Sequence, residues 1–448
     1  MTFDFFRKSY PVFTYEAYKY SISGNSISFE FEFRLNDDII FKPASAVILP
    51  DVPQFREIIH PLIENLIFQI GMIELVSYWK ATCSPQILIK AGALTKEQID
   101  WWKELYYNGL GEFFYLNSIH VDKSDFVEIK STGPVFNPVS NLLLDNEYII
   151  PIGGGKDSAV TLELLKQSGH KVHTLIMNPR GATVETVETA GIKKEEIIII
   201  NRTIDQVLLQ LNDRGFLNGH TPFSAMLAFY SLLAAVLTGH KNIALSNESS
   251  ANEATIPGTT INHQYSKSIE FETNFRDYYT RYICPQLNYF SFLRPLSELQ
   301  IMSIFSHLDK YHNVFKSCNV GSKTNSWCGK CPKCLFTHIM LSAFKGVNYA
   351  NQVIGKSMLD DAENTQYFDE LSGFSAIKPF ECVGTFNDVQ TALRIISKSL
   401  RNTSSPLLIR RFNEMDRSEA QNVSTSIENL SYLNTDELNL IINALSKD

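Results

Sequence analysis

The chain has 448 residues, enough for two or three hydrophobic cores, and its 44% hydrophobic and 20% charged residues are typical of a water-soluble globular protein. The formal net charge of −8 argues against a general affinity for nucleic-acid backbones, so we expect a small anionic or nucleotide-linked substrate and no nucleic-acid partner. No apolar run approaches the roughly 20 residues of a membrane span and the N-terminus lacks a secretory pattern, so we expect a cytoplasmic protein without a membrane partner.

The first part of the chain, residues 1–140, predicts an α+β domain that we expect to recognise the substrate. Residues 13–18 and 27–33 alternate apolar and polar side chains on either side of a Ser-Gly-Asn turn, which is the pattern of a β-hairpin. Apolar residues then recur at helical spacing from near Phe55 to Trp79. We also predict a third strand over 38–41, a second helix over 96–110 and a boundary at Ser131-Thr132-Gly133-Pro134.

A glycine-rich loop follows an apolar strand in the middle of the chain. The strand ends at Ile152, and the loop consists of Gly153, Gly154, Gly155, Lys156, Asp157 and Ser158. Three glycines let the backbone direct several N–H groups at one anion, the lysine adds a cation, and a helix begins directly behind them. This stretch therefore predicts a phosphate-binding loop.

Two common phosphate motifs do not fit this loop. A Walker A loop requires Ser or Thr after its Gly-Lys pair and a glycine five residues before its second glycine, but Asp157 and Ile150 stand at those positions. The dinucleotide pattern requires Gly or Ala at the position of Ser158. The loop instead resembles the S-G-G-x-D-S motif of the PP-loop ATP pyrophosphatases, from which it departs at Gly153, where that family usually has Ser. The resemblance implies that the loop binds ATP, which is cleaved to AMP and pyrophosphate.

Strands and helices alternate after Tyr148. We expect strands at 147–152, 171–177, 196–201 and 242–246, and helices at 156–168, 183–190, 204–213 and 221–238. This alternation predicts an α/β fold with a parallel sheet, helices on both faces and ligands at the carboxyl ends of the strands. We assign residues 141–310 to this PP-loop domain, which the resemblance implies is of the adenine nucleotide α-hydrolase type. Asn178 and Arg202 follow the second and third strands and are predicted to bind the ATP.

Two polar segments follow the fourth predicted strand, and we expect them at the same edge of the sheet as the glycine-rich loop. His263 is the first choice for a general base because its unperturbed pKa is closest to neutrality. Glu248 and Glu253 are its expected partners, and Lys267 is a further catalytic group that can contact a carboxylate or phosphate. Asn252, Tyr265 and Arg294 are predicted to bind the substrate, although a structural ion pair explains Arg294 equally well.

Four of the seven cysteines are close together late in the chain: Cys318, Cys328, Cys331 and Cys334. Four thiolates complete a tetrahedral zinc site with no open position, so we predict a structural zinc, with an iron–sulfur cluster as the alternative. The spacing resembles the zinc knot of 7-cyano-7-deazaguanine synthases, which are also PP-loop enzymes. We place this knot at 311–345 and a helical region at 346–448; Cys83, Cys284 and Cys382 are predicted to be isolated buried thiols.

As a whole, the chain resembles the MurL family of UDP-N-acetylmuramoyl-L-alanyl-L-glutamate epimerases. The resemblance covers roughly residues 10 to 350 and includes the glycine-rich loop, S-N-E-S-S-A-N-E at 246–253, N-H-Q-Y-S-K-S at 262–268, L-R-P-L-S-E at 293–298 and W-C-G-K-C-P-K-C-L-F at 327–336. It implies ATP-dependent inversion of the terminal L-glutamate of a UDP-linked muramoyl dipeptide in peptidoglycan precursor synthesis, through an acyl-adenylate, with Mg²⁺ near Asp157. The alternative is a PP-loop ligase that modifies a nucleobase or a tRNA, as in deazaguanine nitrile formation or thiolation.

Overall fold

The structure is a computed structural model that describes residues 2–51, 60–256, 258–259, 261–400, 404–416, 423, 426–427 and 431–446. The strands are β1 (Val12–Ser23), β2 (Ser26–Leu35), β3 (Ile39–Phe41), β4 (Ala44–Ile48), β5 (Gln86–Ile89), β6 (Glu128–Ser131), β7 (Asp145–Pro151), β8 (Val172–Met177), β9 (Ile198–Arg202), β10 (His240–Leu245) and β11 (Asn288–Ser291). The first eight α-helices are α1 (Phe3–Ser9), α2 (His60–Trp79), α3 (Lys96–Gly109), α4 (Gly111–Leu116), α5 (Lys156–Lys166), α6 (Gly181–Thr189), α7 (Gln206–Asp213) and α8 (Phe223–Thr238). They are followed by α9 (Ile269–Tyr282), α10 (Glu298–Ser306), α11 (Pro332–Lys345), α12 (Val347–Ile354), α13 (Thr365–Ser372), α14 (Phe386–Ser399), α15 (Leu407–Met415) and α16 (Thr435–Leu445).

These strands form one mixed sheet that joins the predicted N-terminal domain to the predicted nucleotide domain. The order is β11-β10-β7-β8-β9-β4-β2-β1-β5-β6, and β3 pairs with β2. The pairs among β7 to β11 are all parallel, whereas β4 pairs with β9 antiparallel. The predicted α/β class is therefore confirmed, and the boundary predicted near residue 140 divides one continuous sheet.

Strand β7 is the point at which the connections of the parallel half change direction. After β7 the chain adds β8 and β9 on one side, and it then adds β10 and β11 on the other. In open α/β sheets, ligands bind at the carboxyl ends of the strands at such a switch point. The glycine-rich loop leaves β7 at Pro151, and α5 begins at Lys156, so the loop occupies this position.

The side chains of β7 enter two hydrophobic cores because consecutive residues of a strand point to opposite faces. Tyr148 and Ile150 pack into the core that contains α5, α10, α11 and the C-terminal helices. Ile149 packs into the other core, which contains the N-terminal strands, α2, α3 and α8. Helices thus cover both faces of the parallel half, as the alternation of elements predicts.

Most predicted elements are present, but α9, a helix of 14 residues, and several short elements were not predicted. The hairpin is confirmed by the antiparallel pairing of β1 with β2, and the third strand and the helix over 96–110 correspond to β3 and α3. The predicted helix start near Phe55 lies outside the described residues. The short elements α1, β4, β5, β6 and β11 could not be predicted, because four to seven residues are too few to show a periodic pattern.

The region after residue 346 is helical, as predicted, and it packs against the parallel half of the sheet. The Tyr148 hydroxyl of β7 donates a 2.9 Å hydrogen bond to Glu437 of α16. Burial, followed by the charge and the hydrogen bond of Glu437, raises the pKa of Tyr148 above its usual range. Among the residues that the structure describes, none of the helices has the length and apolar character of a membrane span.

Candidate functional site

A cavity of about 590 Å³ lies at the carboxyl ends of β7, β8 and β10. The glycine-rich loop forms one wall, with Gly153, Gly155, Lys156, Asp157 and Ser158 among the lining residues. The opposite walls come from the segments after β8 and β10, from the start of α11 and from the segment that contains Cys382. The size is within the usual range of small-molecule sites, which is about 300–1,000 Å³.

The middle glycine of the loop is required by the backbone conformation. Gly154 has φ = +77°, in the left-handed region that side chains disfavour. A Cβ atom there would lie 2.9 Å from backbone atoms of Ala182 and Thr183, and the Gly154 carbonyl accepts a 2.8 Å hydrogen bond from the Lys316 amide. At Gly153 a Cβ would meet nothing within 4 Å, and φ is not positive.

We therefore expect opposite results from substitutions at these neighbouring glycines. Gly154→Ala should destabilise the protein by at least ~2 kcal/mol and weaken ATP binding, because backbone strain and overlap add. Gly153→Ser should leave thermal stability unchanged and tighten ATP binding about 2- to 10-fold, since its hydroxyl can add one hydrogen bond to phosphate. Thermal unfolding and ATP titration measure both effects. A wild-type melting curve for Gly154→Ala would contradict the loop conformation described above.

Lys156 is buried between two carboxylates. Its ammonium contacts Asp157 of the loop and Glu298 at the start of α10, and both Lys156 and Glu298 are 3% exposed. Burial, together with the charges of Asp157 and Glu248, raises the pKa of Glu298 above its usual range despite the adjacent ammonium. The predicted phosphate-binding cation therefore neutralises an acidic cluster, and one member of that cluster, Glu298, was not among the predicted site residues.

Several other cations line the cavity, and they make it suited to polyanionic ligands. Arg180 lies at the start of α6, Lys267 precedes α9, Lys316 precedes the cysteine cluster and Lys333 lies in the first turn of α11. Burial lowers the pKa of Lys316. Lys267 was predicted, whereas the other three were missed because they are far apart in the sequence and carry no local motif.

The predicted residues Glu248, His263 and Lys267 all line this cavity, and so does Asn178. His263 Nδ1 contacts Glu112 of α4, which the sequence analysis did not identify. The His220 ring lies with its centroid 4.6 Å from the His263 ring, and burial followed by the His263 charge lowers the pKa of His220 to about 4. The expected partners of His263 were Glu248 and Glu253, so the contact with Glu112 is a correction.

Arg294 does not line the cavity. Its position favours the predicted ion pair over the predicted substrate contact. It is fully buried, and its Nη2 lies 2.9 Å from a Glu272 carboxylate oxygen. The same guanidinium donates hydrogen bonds to the carbonyls of Glu248 and Lys267. Arg294 therefore positions the two polar segments that carry cavity residues, and it is not available to bind substrate.

Four further predicted residues do not line the cavity. The Arg202 guanidinium pairs with buried Glu74 (Nη2 to Oε2, 2.8 Å), and the Asn252 side chain accepts a 2.8 Å hydrogen bond from the Ile269 amide at the start of α9. Tyr265 is buried in the hydrophobic core. Glu253 pairs with Lys378 and lines a separate cavity. Their side chains turn toward the protein interior or toward other surfaces.

Cys382 lines the cavity and was wrongly predicted to be an isolated thiol. The Lys267 ammonium lies 3.2 Å from its sulfur, and the two residues are 115 positions apart in the chain. Burial favours the neutral thiol, but the charges of Lys267 and Lys333 and a hydrogen bond with His263 outweigh it and lower the pKa of Cys382 to about 6. No local pattern surrounds this cysteine, so only the fold could reveal its neighbours.

The four clustered cysteines come together beside the same cavity. Their sulfur atoms lie 3.9 Å apart for Cys318 and Cys331, 3.7 Å for Cys328 and Cys334, and 3.5 Å for Cys331 and Cys334. Four sulfurs at about 2.3 Å from one tetrahedral zinc are about 3.8 Å apart, so this set can hold a metal ion such as zinc. The amides of Gly321 and Cys328 direct N–H groups at the Cys318 sulfur.

Comparison with known proteins identifies relatives of this chain. Residues 4–292 match the MurL N-terminal domain model and residues 314–426 match the MurL C-terminal domain model. Three similar proteins are named UDP-N-acetyl-alpha-D-muramoyl-L-alanyl-L-glutamate epimerase. The protein from Xanthomonas oryzae pv. oryzae is 34% identical over 345 residues, 75% of either chain. The one from Salinispora tropica is 31% identical over 404 residues, 88% of this chain and 87% of the relative, and the one from Micromonospora sp. is 32% identical over 343 residues, 74% and 75%.

Proposed function

Because this chain belongs to the MurL family, we propose that its central cavity uses ATP to invert the terminal L-glutamate of UDP-N-acetylmuramoyl-L-alanyl-L-glutamate through an acyl-adenylate. The chain is an epimerase of peptidoglycan precursor synthesis, as the names of its relatives state. The single observation that supports the ATP-dependent route is the glycine-rich loop at the switch point of the sheet, open to a cavity with several cations.

The chemistry explains why an epimerase would consume ATP. The C–H bond next to a carboxylate is scarcely acidic, because the anion cannot accept further negative charge. Joining the carboxylate to AMP makes a mixed anhydride, whose carbonyl can take up the charge of an enolate when the α-proton leaves. A proton returned to the opposite face gives D-glutamate, and hydrolysis of the anhydride releases AMP.

The residues of the cavity divide between the two halves of this reaction. The backbone of Gly153 to Gly155 and the Ser158 hydroxyl face the ATP phosphates, in keeping with the PP-loop resemblance, and Asn178 lies at the end of β8 beside them. Lys267 supplies a cation for the developing enolate or the substrate carboxylate, and His263 is placed to move a proton. Adenylation and proton transfer thus use different residues of one cavity.

Magnesium fits the acidic part of this site. Asp157, Glu248 and Glu298 offer hard carboxylate oxygens to the cavity, and their mutual repulsion raises the pKa of Glu298 beyond the effect of burial. We assign these three residues to hold the ion. When bound, Mg²⁺ neutralises charge on the ATP phosphates.

We further propose that the four-cysteine cluster holds a structural zinc, with an iron–sulfur cluster as the alternative, and that the protein acts in the cytoplasm, where nucleotide-linked precursors are made. The zinc proposal is supported by the sulfur spacings and by four protein ligands, which leave no open coordination position. A PP-loop ligase acting on a nucleobase or tRNA is the alternative reaction for the same loop.

A heavy-water experiment tests the proposed route. With UDP-MurNAc-L-Ala-L-Glu, ATP and Mg²⁺ in D₂O, we expect AMP, pyrophosphate and deuterium at the glutamate α-carbon, together with D-glutamate after acid hydrolysis. His263→Ala should reduce α-deuterium incorporation at least ~100-fold while ATP–pyrophosphate exchange persists. A ligase would release AMP and leave the α-carbon untouched. Epimerisation without ATP, or without AMP, would rule out the acyl-adenylate.

A further inference from the structure

Cys382 lies in the segment between α13 and α14, which places its sulfur in the wall of the cavity. Its environment is built from three distant parts of the chain. Lys267 reaches the sulfur at 3.2 Å, His263 is near enough for its charge to act on the sulfur, and the imidazole Nδ1 contacts Glu112. The thiol, the imidazole and the carboxylate lie in a row, and the ammonium lies beside the thiol. A cysteine that is only packed in a core needs no such polar neighbours.

The charges around the sulfur favour the thiolate. Lys267 and Lys333 are cations, and His263 has a pKa raised to about 9 by hydrogen bonds with Cys382 and Glu112, which outweigh burial. Glu381, the neighbouring carboxylate, has a pKa raised by burial, so it repels the thiolate less than an ordinary acid. The net effect of these groups is a thiolate at neutral pH, which accepts protons and is compatible with the imidazolium next to it.

A second observation indicates that a polar ligand occupies this part of the cavity. Gln264, adjacent to His263, is 7% exposed and lines the cavity, and its Oε1 has no hydrogen-bond partner within the described part of the chain. Buried amide oxygens are rarely left unpaired, because this costs ~1–3 kcal/mol. A donor group of the bound substrate would satisfy it in the cavity that Cys382 also lines.

We propose that Cys382 is a catalytic residue whose thiolate exchanges the α-proton with one face of the glutamate, and that His263 and Glu112 form its relay to solvent. This inference rests on the acyl-adenylate route proposed above. In one direction the Cα–H bond breaks, an S–H bond forms, and the electron pair moves to the carbonyl oxygen of the mixed anhydride as an enolate. The proton returned to the opposite face comes from water or another acid in the cavity. The thiolate is restored when the His263 imidazolium passes its Nδ1 proton to Glu112 and takes up the thiol proton. Glu112 then releases its proton to solvent, so atoms and charge balance.

The alternative chemistry for this group is attack on the acyl-adenylate, in which the thiolate would form a thioester and expel AMP. The two roles leave different products on the protein. A proton-transfer residue stays unmodified throughout, whereas a nucleophile carries the muramoyl dipeptide during turnover.

The test compares Cys382→Ser with the matched control Cys284→Ser. Serine keeps the size of the side chain but is not ionised at neutral pH, and Cys284 is a buried thiol that lies outside the cavity lining and contacts Gln286. For Cys382→Ser we expect α-deuterium incorporation to fall at least ~100-fold while substrate-dependent ATP–pyrophosphate exchange stays within about threefold of wild type. The control should match wild type in both assays.

Three results would overturn the proposal: unchanged deuterium incorporation in Cys382→Ser, an equal loss of pyrophosphate exchange and deuterium incorporation, or a substrate adduct on Cys382 by mass spectrometry. Failure of the proposed route is seen separately, because the wild-type protein would then incorporate no deuterium or form no AMP.

A wild-type measurement covers the case in which Cys382→Ser does not fold. The rate of Cys382 alkylation by iodoacetamide, followed by peptide mass mapping, should rise with pH through an inflection near 6, because deprotonation creates the reactive thiolate and the pKa of Cys382 is lowered to about 6. An ordinary thiol inflects near ~8.5. ATP with UDP-MurNAc-L-Ala-L-Glu should protect the residue. An ordinary inflection, or no protection, would overturn the proposal.

Discussion

Replacing Asp157 by asparagine is expected to reduce AMP formation about a thousandfold and to leave the fold intact. The Asp157 side chain lies in the glycine-rich loop and contacts Lys156, which also contacts Glu298. Asparagine has the same shape but lacks the charge that we assign to magnesium. Charge stabilisation by a bound metal contributes several kcal/mol to such reactions, and ~4 kcal/mol corresponds to about a thousandfold.

The matched control is Asp277→Asn, which removes a carboxylate from the exposed Asp277–Arg281 ion pair of α9. Surface pairs contribute ~0–1 kcal/mol, so this variant should retain wild-type activity and stability. AMP release at several magnesium concentrations and circular dichroism would be recorded for both. Full turnover by Asp157→Asn at ordinary magnesium would rule out its metal role, and loss of the native spectrum would show that the residue acts in folding instead.

If the four-cysteine cluster holds the proposed zinc, removing the metal is expected to unfold this part of the cavity wall. The cluster ties Cys318, whose segment carries Lys316, to the start of α11, which carries Lys333. Structural zinc contributes ~10–16 kcal/mol in isolated zinc-finger peptides, comparable with the whole stability of a domain. Cys331→Ser should therefore misfold rather than show a selective kinetic defect.

Metal analysis and thermal unfolding check this expectation. About one zinc should copurify with each chain, and a strong chelator should lower the melting temperature of wild type and of the Cys284→Ser control alike. Iron in place of zinc would favour the iron–sulfur alternative. If neither metal copurifies and chelation leaves unfolding unchanged, the cluster is not a metal site.

The position of the glycine-rich loop between a strand and a helix and the cysteine cluster could be predicted because each depends on residues that are close in the chain. Glycine spacing after an apolar strand and four clustered thiols carry their chemistry locally, and the sulfurs do meet as expected. The role of Arg294, by contrast, could not be predicted from nearby residues. Its sequence context suits either a phosphate contact or an ion pair, and only the position of Glu272, 22 residues earlier, decides for the ion pair.

By itself the sequence determined the α/β class, the alternation of strands and helices after Tyr148, the loop from Gly153 to Ser158 and the family of the chain. Hydrophobic periodicity and short motifs encode these features within windows of a few residues. The tertiary structure alone decided that both halves share one sheet and that Cys382 meets Lys267 in the cavity. His263 and Glu112 are 151 residues apart, and their contact depends on how the whole sheet and its helices pack. Such long-range contacts determine which charges surround a titratable group and how deeply it is buried. The protonation of the cavity residues therefore depends on the fold.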